Sequence, residues 1–351
     1  MTHDISRRGI LQAGAVLGAG ALLAGRRALG GVSAEMTPAA RGAALAGATI
    51  LPAAGKKRVA RIAHLTDVHV QPERHAGEGL AACLAHVQAL PDRPTCIVTG
   101  GDLVMESFEA TDARTQLQWE LFTKTMRDHC GLPCFHSLGN HDIWGWNKGK
   151  SGTKGDEPKW GKVRAVETLG MPGRYHAHDL APAGGTSGAK GGWRIIHLDS
   201  VTHDPLNENG YIGELDGEQM EWLKEEIGAL KPDTHALIVS HIPILSVTVF
   251  ANEVKPDGTF HVPAGVMHKD SAILRGMFEK SGRVRACISG HMHRLDRIDF
   301  RGIRYACNGA VSGNWWKGAH AEAFEGYTVI DLFEDGSMGS EYVGYGWNAS
   351  E

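Results

Sequence analysis

The chain has 351 residues, 42% of them hydrophobic and 22% charged, and a formal net charge of −4. That length can bury a large core, as one big domain or two ordinary ones. The mildly acidic balance, with no run of like charges, argues against a dedicated nucleic-acid surface, and no stable nucleic-acid partner is expected. Six cysteines are too few for a disulfide scaffold at this length. Cys96, Cys287 and Cys307 lie in apolar runs and read as buried free thiols. Cys130 and Cys134 are near enough in sequence to pair, but no second Cys/His pair accompanies them, as a structural zinc site would need.

Taken from the start, Ser6-Arg7-Arg8-Gly9-Ile10-Leu11 precedes an uncharged Gly/Ala/Leu segment that ends at Gly25. It is shorter than the roughly 20 apolar residues that span a bilayer. A charged start and a short apolar core are the marks of an export signal. The paired arginines resemble the twin-arginine signal used for folded proteins, with Ile10 where Phe is usual and Gln12 where Lys is usual. That resemblance implies the twin-arginine translocase as a partner during export. It also implies a periplasmic or secreted mature chain with no transmembrane anchor. Residues 1–34 are read as the signal, with Val32-Ser33-Ala34 as the cleavage site and Ala28-Leu29-Gly30 as its rival. Its removal takes away four arginines and Asp4, shifting the charge from −4 to −7. Attraction for phosphate must then come from bound cations and not from surface charge.

Residues 35–58 are rich in Ala, Gly and Pro and read as a flexible lead-in. From Val59 strands and helices alternate. The pattern gives a strand over 59–70, a helix over 79–90 ended by Pro91, a short strand over 95–99, a helix over 111–129 and a strand over 133–138. Residues 147–162 and 181–192 read as mobile loops. A strand follows at 193–198. Asp216 opens a helix, with Gln219 placed to complete a capping box. Strands at 235–240 and 284–289 flank a helix over 269–280. Strand then follows strand: 297–300, 303–307, 327–332 and 341–345. A βαβα first half and a strand-rich second half fit two sheets packed face to face with helices outside, all in one domain over residues 59–351. In such folds the working loops lie at the carboxyl ends of strands.

Five short motifs carry the chemistry: Asp67-Val68-His69, Gly100-Gly101-Asp102, Gly139-Asn140-His141-Asp142, Ser240-His241 and Gly290-His291-Met292-His293. Most of them fall where an apolar strand ends. Asp67 and His69, two apart on an extended chain, would face the same side, and His291 and His293 repeat that spacing. The glycines before Asp102 allow a sharp turn, and a carboxylate can bridge two cations. Asn140 adds a neutral oxygen donor. The mixture of imidazole, carboxylate and amide oxygen suits Fe, Mn or Zn and is too rich in nitrogen for calcium.

This series resembles the calcineurin-like metallophosphoesterase superfamily, whose pattern is D-x-H, G-D, G-N-H-D/E, H and G-H-x-H. The resemblance covers essentially everything after residue 58 and implies a four-layer αββα sandwich of two mixed sheets flanked by helices. It also implies two metal ions: one on Asp67, His69, Asp102 and His293, the other on Asp102, Asn140, His241 and His291. The expected activity is hydrolysis of a small-molecule phosphomonoester or phosphodiester by attack of a metal-bridging hydroxide. His141 is expected as the general acid and Asp142 as the group that orients it. The strand-rich tail is closest to the cyclic-nucleotide-phosphodiesterase-like branch. A nuclease and a non-catalytic metal-binding scaffold are the alternatives. One departure from the family is Glu106, standing near where a second aspartate often follows Asp102.

Other residues take plainer readings. His136 and His197 sit in apolar strands and read as satisfied core residues, as does His64. Asp199 reads as a loop brace. Trp144, Trp146, Trp315 and Trp316 could line a substrate cleft or simply pack. No role is assigned to His261 or His268.

Overall fold

The sequence from Val59 to Leu65 is apolar at most positions, as a strand buried on both faces must be. It forms β1 (Arg58–Leu65), followed by α1 (Ala76–Ala89), β2 (Cys96–Thr99), α2 (Asp112–His129) and β3 (Cys134–Phe135). The structure is a computed structural model and describes Gly55 and residues 57–180, 192–251 and 254–349. The export segment, most of the lead-in and the stretch 181–191 therefore lie outside the described residues. Two short helices, α3 (Lys148–Ser151) and α4 (Val163–Thr168), lead to β4 (His176–Leu180) and β5 (Gly192–His197). Then come β6 (Val201–His203), β7 (Tyr211–Gly213), α5 (Gly217–Gly228), β8 (Thr234–Val239) and α6 (Ser271–Ser281). The chain finishes with β9 (Val284–Ser289), β10 (Leu295–Phe300), β11 (Ile303–Asn308), β12 (Gly326–Phe333) and β13 (Met338–Gly344).

The strands form a five-stranded sheet in the order β13-β12-β1-β2-β3 and a six-stranded sheet in the order β10-β11-β9-β8-β5-β4, with β6 and β7 as a separate ribbon. Both large sheets are mixed. β1, β2 and β3 run parallel while β12 pairs antiparallel to β1. β5, β8, β9 and β11 run parallel, with β4 and β10 antiparallel at the edges.

Alternation along each strand divides the core into three layers. Ala63, Leu65 and Ile97 face out from the first sheet and meet Leu80 and Leu84 of α1 and Trp119 and Phe122 of α2. Ile62 and Val98 face inward and meet Ile195, Leu237, Val239 and Ile288 of the second sheet. Ile196, Ile238 and Cys287 face the other way onto Leu223 and Ile227 of α5 and Leu274 and Phe278 of α6. The result is the four-layer αββα sandwich. Each fully buried Leu, Ile or Phe contributes about 1.5–3 kcal/mol through the water it escapes.

Two local expectations change. Asp216 does cap α5, its Oδ1 accepting from the Gln219 N–H at 2.9 Å. The Gln219 side chain does not close the box, however. It exchanges two hydrogen bonds with the backbone of Asp199, at 2.8 and 2.9 Å, and so ties α5 to the loop after β5. Residues 147–162 are tied back to Trp144 and Gly145 just before them. Thr153 Oγ1 and Trp160 Nε1 both donate to the Gly145 carbonyl, at 2.7 and 3.0 Å, and Trp144 pairs with Gly161. Among the described residues no helix is long and apolar enough to cross a membrane.

Candidate metal centre

β1 and β2 lie side by side and parallel in one sheet, and β8 and β9 do so in the other. Asp67 and His69 follow β1, Asp102 follows β2, His241 follows β8, and His291 and His293 follow β9. The first pair does not sit on extended backbone as the spacing suggested. β1 ends at Leu65, and Asp67 and His69 have φ of 54° and 48°. Asp102, His291 and His293 are also left-handed, with φ of 54°, 69° and 51°. Such geometry costs a non-glycine residue about 1–2 kcal/mol, so the backbone must be held by its surroundings. Asp67 N–H donates to the Gly101 carbonyl at 3.0 Å and His69 N–H to the Asp102 carbonyl at 2.9 Å. Trp316 Nε1 donates to the His69 carbonyl at 3.0 Å, and Ser312 Oγ to the Asp67 carbonyl at 2.8 Å. Gly290 is needed for room: a Cβ there would collide with Thr66 Oγ1 and the Asp67 carboxylate.

All seven candidate ligands converge. His69 Nε2 lies 3.0 Å from His293 Nε2, and His293 Nε2 lies 3.4 Å from Asp67 Oδ1. His241 Nε2 lies 3.1 Å from Asn140 Oδ1 and 3.2 Å from His291 Nδ1. Asp102 Oδ2 joins the two groups, at 3.6 Å from His69 Nε2 and 3.2 Å from His241 Nε2.

The donor set fits cations. His293 Nδ1 donates to the Gly313 carbonyl at 2.6 Å, and His241 Nδ1 to the Gly100 carbonyl at 2.8 Å. In the neutral tautomers this leaves Nε2 of both rings as bare lone pairs, each aimed at another imidazole nitrogen about 3 Å away. Ring nitrogens this close need a shared proton or a cation between them. Burial alone would depress the His241 imidazolium, but Asp102, Asp67 and the Gly100 carbonyl outweigh it and push the group up to about 9. Burial would raise Asp102, yet the imidazoles of His241, His141 and His69 hold it well below the usual carboxylate range. Asp67, similarly buried and facing His293, is held at about 2. The cluster is built for positive charge, and His69, Asp102, Asp67, His241, His291 and His293 form groups able to hold metal ions.

His141 stands at the rim, its side chain 24% exposed and its ring edge-on to His69 with centroids 4.7 Å apart. Its N–H donates to Asp102 Oδ1 at 2.8 Å, and its Nδ1 is held by the Met105 carbonyl, which leaves Nε2 for a substrate. Burial lowers its pKa, but Asp102, Glu106 and the Met105 carbonyl more than compensate and raise it.

Asp142 does not orient this imidazole. Its Oδ2 accepts from Gly139 N–H at 2.8 Å and its Oδ1 from the Leu103 and Val104 N–H groups at 2.8 and 3.3 Å. It braces the Asp102 and Asn140 loops against each other. The acid beside His141 is Glu106, 3.7 Å from Nδ1. Its place four residues after Asp102 was visible in the sequence; its direction was not.

Of the four tryptophans, Trp315 flanks the centre, its ring 4.4 Å from that of His293 and 6.0 Å from that of His69. Trp144 and Trp316 are buried, and Trp146 packs on His203 at 4.6 Å. Tyr211, unnoticed in the sequence, lies on the other side with its ring 6.3 Å from that of His291. Asp199 is a brace, receiving Lys162 at 2.6 Å and Arg174 at 2.8 Å. His64 is buried with Nδ1 on Asn308 at 3.0 Å and Nε2 without a partner, and half-buried His136 meets Thr99 at 3.1 Å. His197 is only half satisfied: Nδ1 meets Ser137 Oγ at 2.9 Å, while Nε2 has no partner.

Solved structures share this fold. A dimetal phosphatase from Danio rerio is similar over 82% of this chain and 100% of its own, with a TM-score of 0.51 at 14% identity. GAP50 of Plasmodium, described as the anchor in the inner membrane complex, is similar over 82% of this chain and 85% of its own, with a TM-score of 0.50 at 16% identity. At those identities the likeness establishes the fold. No curated protein matches the chain by sequence. The calcineurin-like phosphoesterase family model matches residues 60–295, a span that holds all five motifs. The chain belongs to the calcineurin-like phosphoesterase family, and with it to the hydrolases that act on phosphoester bonds.

Proposed function

We propose that the protein is an exported phosphoesterase that cleaves small phosphomonoesters or phosphodiesters at a centre of two cations. One would rest on Asp67, His69, Asp102 and His293, the other on Asp102, Asn140, His241 and His291. The observation that carries this reading is the single Asp102 oxygen within 3.6 Å of His69 and 3.2 Å of His241. Bound there, the cations would supply Lewis-acid polarisation of the phosphoryl oxygens and a lowered pKa for the attacking water.

The chain's own residues do the rest. Asp67 and Asp102 set the negative charge that would hold cations in a chain whose formal net charge is −4. His141, fixed through Nδ1 by the Met105 carbonyl, presents Nε2 toward the leaving oxygen and gives up a proton as the ester bond breaks. Glu106 favours the protonated ring that this needs. Trp315 and Tyr211 flank the centre and offer faces for a planar leaving group. That aromatic flank favours a second reading in which the substrate is a nucleoside phosphodiester, such as a cyclic nucleotide. The export signal in residues 1–34 supports a periplasmic or secreted site of action.

The test pairs elemental analysis of the purified full chain with turnover of p-nitrophenyl phosphate and bis-p-nitrophenyl phosphate after loading with Mn, Fe, Zn or Co. About two ions per chain and metal-dependent release of p-nitrophenol from either ester are expected. Flat rates with both esters under all four metals would instead support a binding scaffold of the same fold. For export, replacing Arg7 and Arg8 together by lysine should trap the precursor in the cytoplasm. Unimpaired export of that variant would remove the twin-arginine route.

A further inference from the structure

Three histidines gather away from the seven-residue centre, at the edge strand of the six-stranded sheet. His176 on β4 pairs directly with His197 on β5, and His178 lies two residues further along β4 on the same face. That face looks between the two sheets, since Leu180, Trp193 and Ile195 of the same strands join the inter-sheet core. His197 is fully buried, and the other two are half-buried.

Their nitrogens are not spoken for. His176 Nδ1, both nitrogens of His178 and His197 Nε2 are buried without a hydrogen-bond partner. Each such atom costs about 1–3 kcal/mol if nothing meets it. Meanwhile Ser137 Oγ holds His197 Nδ1 at 2.9 Å, which fixes the ring and leaves Nε2 as its free donor. Phe135 lies flat against His178, with centroids 3.6 Å apart. Burial lowers the pKa of all three, so the neutral, ligating form prevails at neutral pH.

We propose that His176, His178 and His197 form a third metal site, separate from the catalytic centre, that binds zinc or a neighbouring late transition-metal ion. One nitrogen from each ring already lies within 4.8 Å of the other two. The three rings now lie stacked, His176 on His197 at 4.4 Å and His178 on His197 at 5.3 Å between centroids, so they must turn for their in-plane lone pairs to meet at one ion with Zn–N bonds of about 2.0–2.1 Å. Three imidazoles without a carboxylate select zinc, cobalt, nickel or copper over calcium or magnesium. Such an ion would satisfy one orphaned nitrogen on each ring and fasten the edge strand β4 to β5.

The first experiment loads the full chain with zinc, removes excess by gel filtration and counts zinc per chain in wild type, His176→Phe and His178→Phe. Phenylalanine keeps the stacked volume beside Phe135. One equivalent fewer is expected in each variant, with p-nitrophenyl phosphate turnover within about twofold of wild type. Equal zinc in variants and wild type would overturn the site. Because a variant could fail to fold, the second experiment uses wild type alone: a zinc-edge anomalous difference map from zinc-soaked crystals. A peak bonded to all three rings supports the proposal. Peaks confined to the seven-residue centre refute it, and since that centre is visible in the same map, its own failure would be seen separately.

Discussion

Asp102 does two things with one carboxylate. Its Oδ2 faces His69 and His241 while its Oδ1 accepts the His141 N–H. Asp102→Asn removes the charge that both halves of the centre share. Turnover should fall by at least ~100-fold, with fewer ions retained per chain on elemental analysis. Full occupancy in that variant would deny the shared role. His141→Ala should spare the metal content. It should slow an alkyl phosphate about 100-fold and an aryl phosphate much less, because a good leaving group needs little protonation. Equal slowing of both esters would mean that His141 delivers no proton. The seven residues that gather at the centre were legible as residue types at motif spacings. The task of Asp142 was not, because it depends on backbone N–H groups of Gly139, Leu103 and Val104, which leave no mark in side-chain identity.

At the scale of elements, the ligand loops are held by what packs behind them. Trp316 sits beneath the loop after β1, donates to the His69 carbonyl and presses on Gly79 of α1, where a Cβ would strike its ring. Trp316→Phe keeps most of the ring and drops the N–H. Unfolding in urea should show a loss of about 0.5–1.5 kcal/mol, and metal affinity should weaken although no ligand has changed. An unchanged affinity would show that the loop holds itself.

β3 offers a pH prediction. Burial, with a smaller push from His176, holds His136 at about 4. The unfolded ring takes its proton near 6.5, so the folded state binds fewer protons between those values. Stability is therefore present above about pH 6.5 and lost as pH falls toward about 4. His136→Phe should flatten that part of the urea-midpoint profile between pH 7 and 5, and a profile as steep as wild type would contradict this. Most strands were legible from apolar runs. β4 was not, because His-Ala-His-Asp-Leu has no such run and its pairing with β5 is a contact across the intervening segment. The left-handed turns at Asp67 and His69 were also hidden, since tertiary hydrogen bonds, and not local preference, sustain them.

Across the whole molecule, the layered architecture could be read from βα alternation followed by strands, but the order of strands within each sheet could not. β12 inserts beside β1 through a pairing of residues near 60 with residues near 330, and no local pattern encodes so distant a partner. The same long reach governs the centre. Asp67, His69 and Asp102 hang from the first sheet, while His241, His291 and His293 hang from the second. Ions bound there as proposed would cross-link the two sheets and would bind only the folded state. Stripping them with a chelator should lower Tm by several degrees, in line with about 2.7 kcal/mol for a ligand at 100 times its Kd. An unchanged Tm would deny the cross-link.

This division also dates the loading of metal during biosynthesis. A growing chain that has emerged only as far as Asn140 presents two carboxylates and His69 but none of the second sheet's imidazoles. Tight capture must wait until His293 has been synthesised and the two halves have closed. If the centre binds metal as proposed, metallation would be a late event in the life of each molecule, and a polypeptide truncated before residue 291 would leave the ribosome without the second sheet's last two ligands.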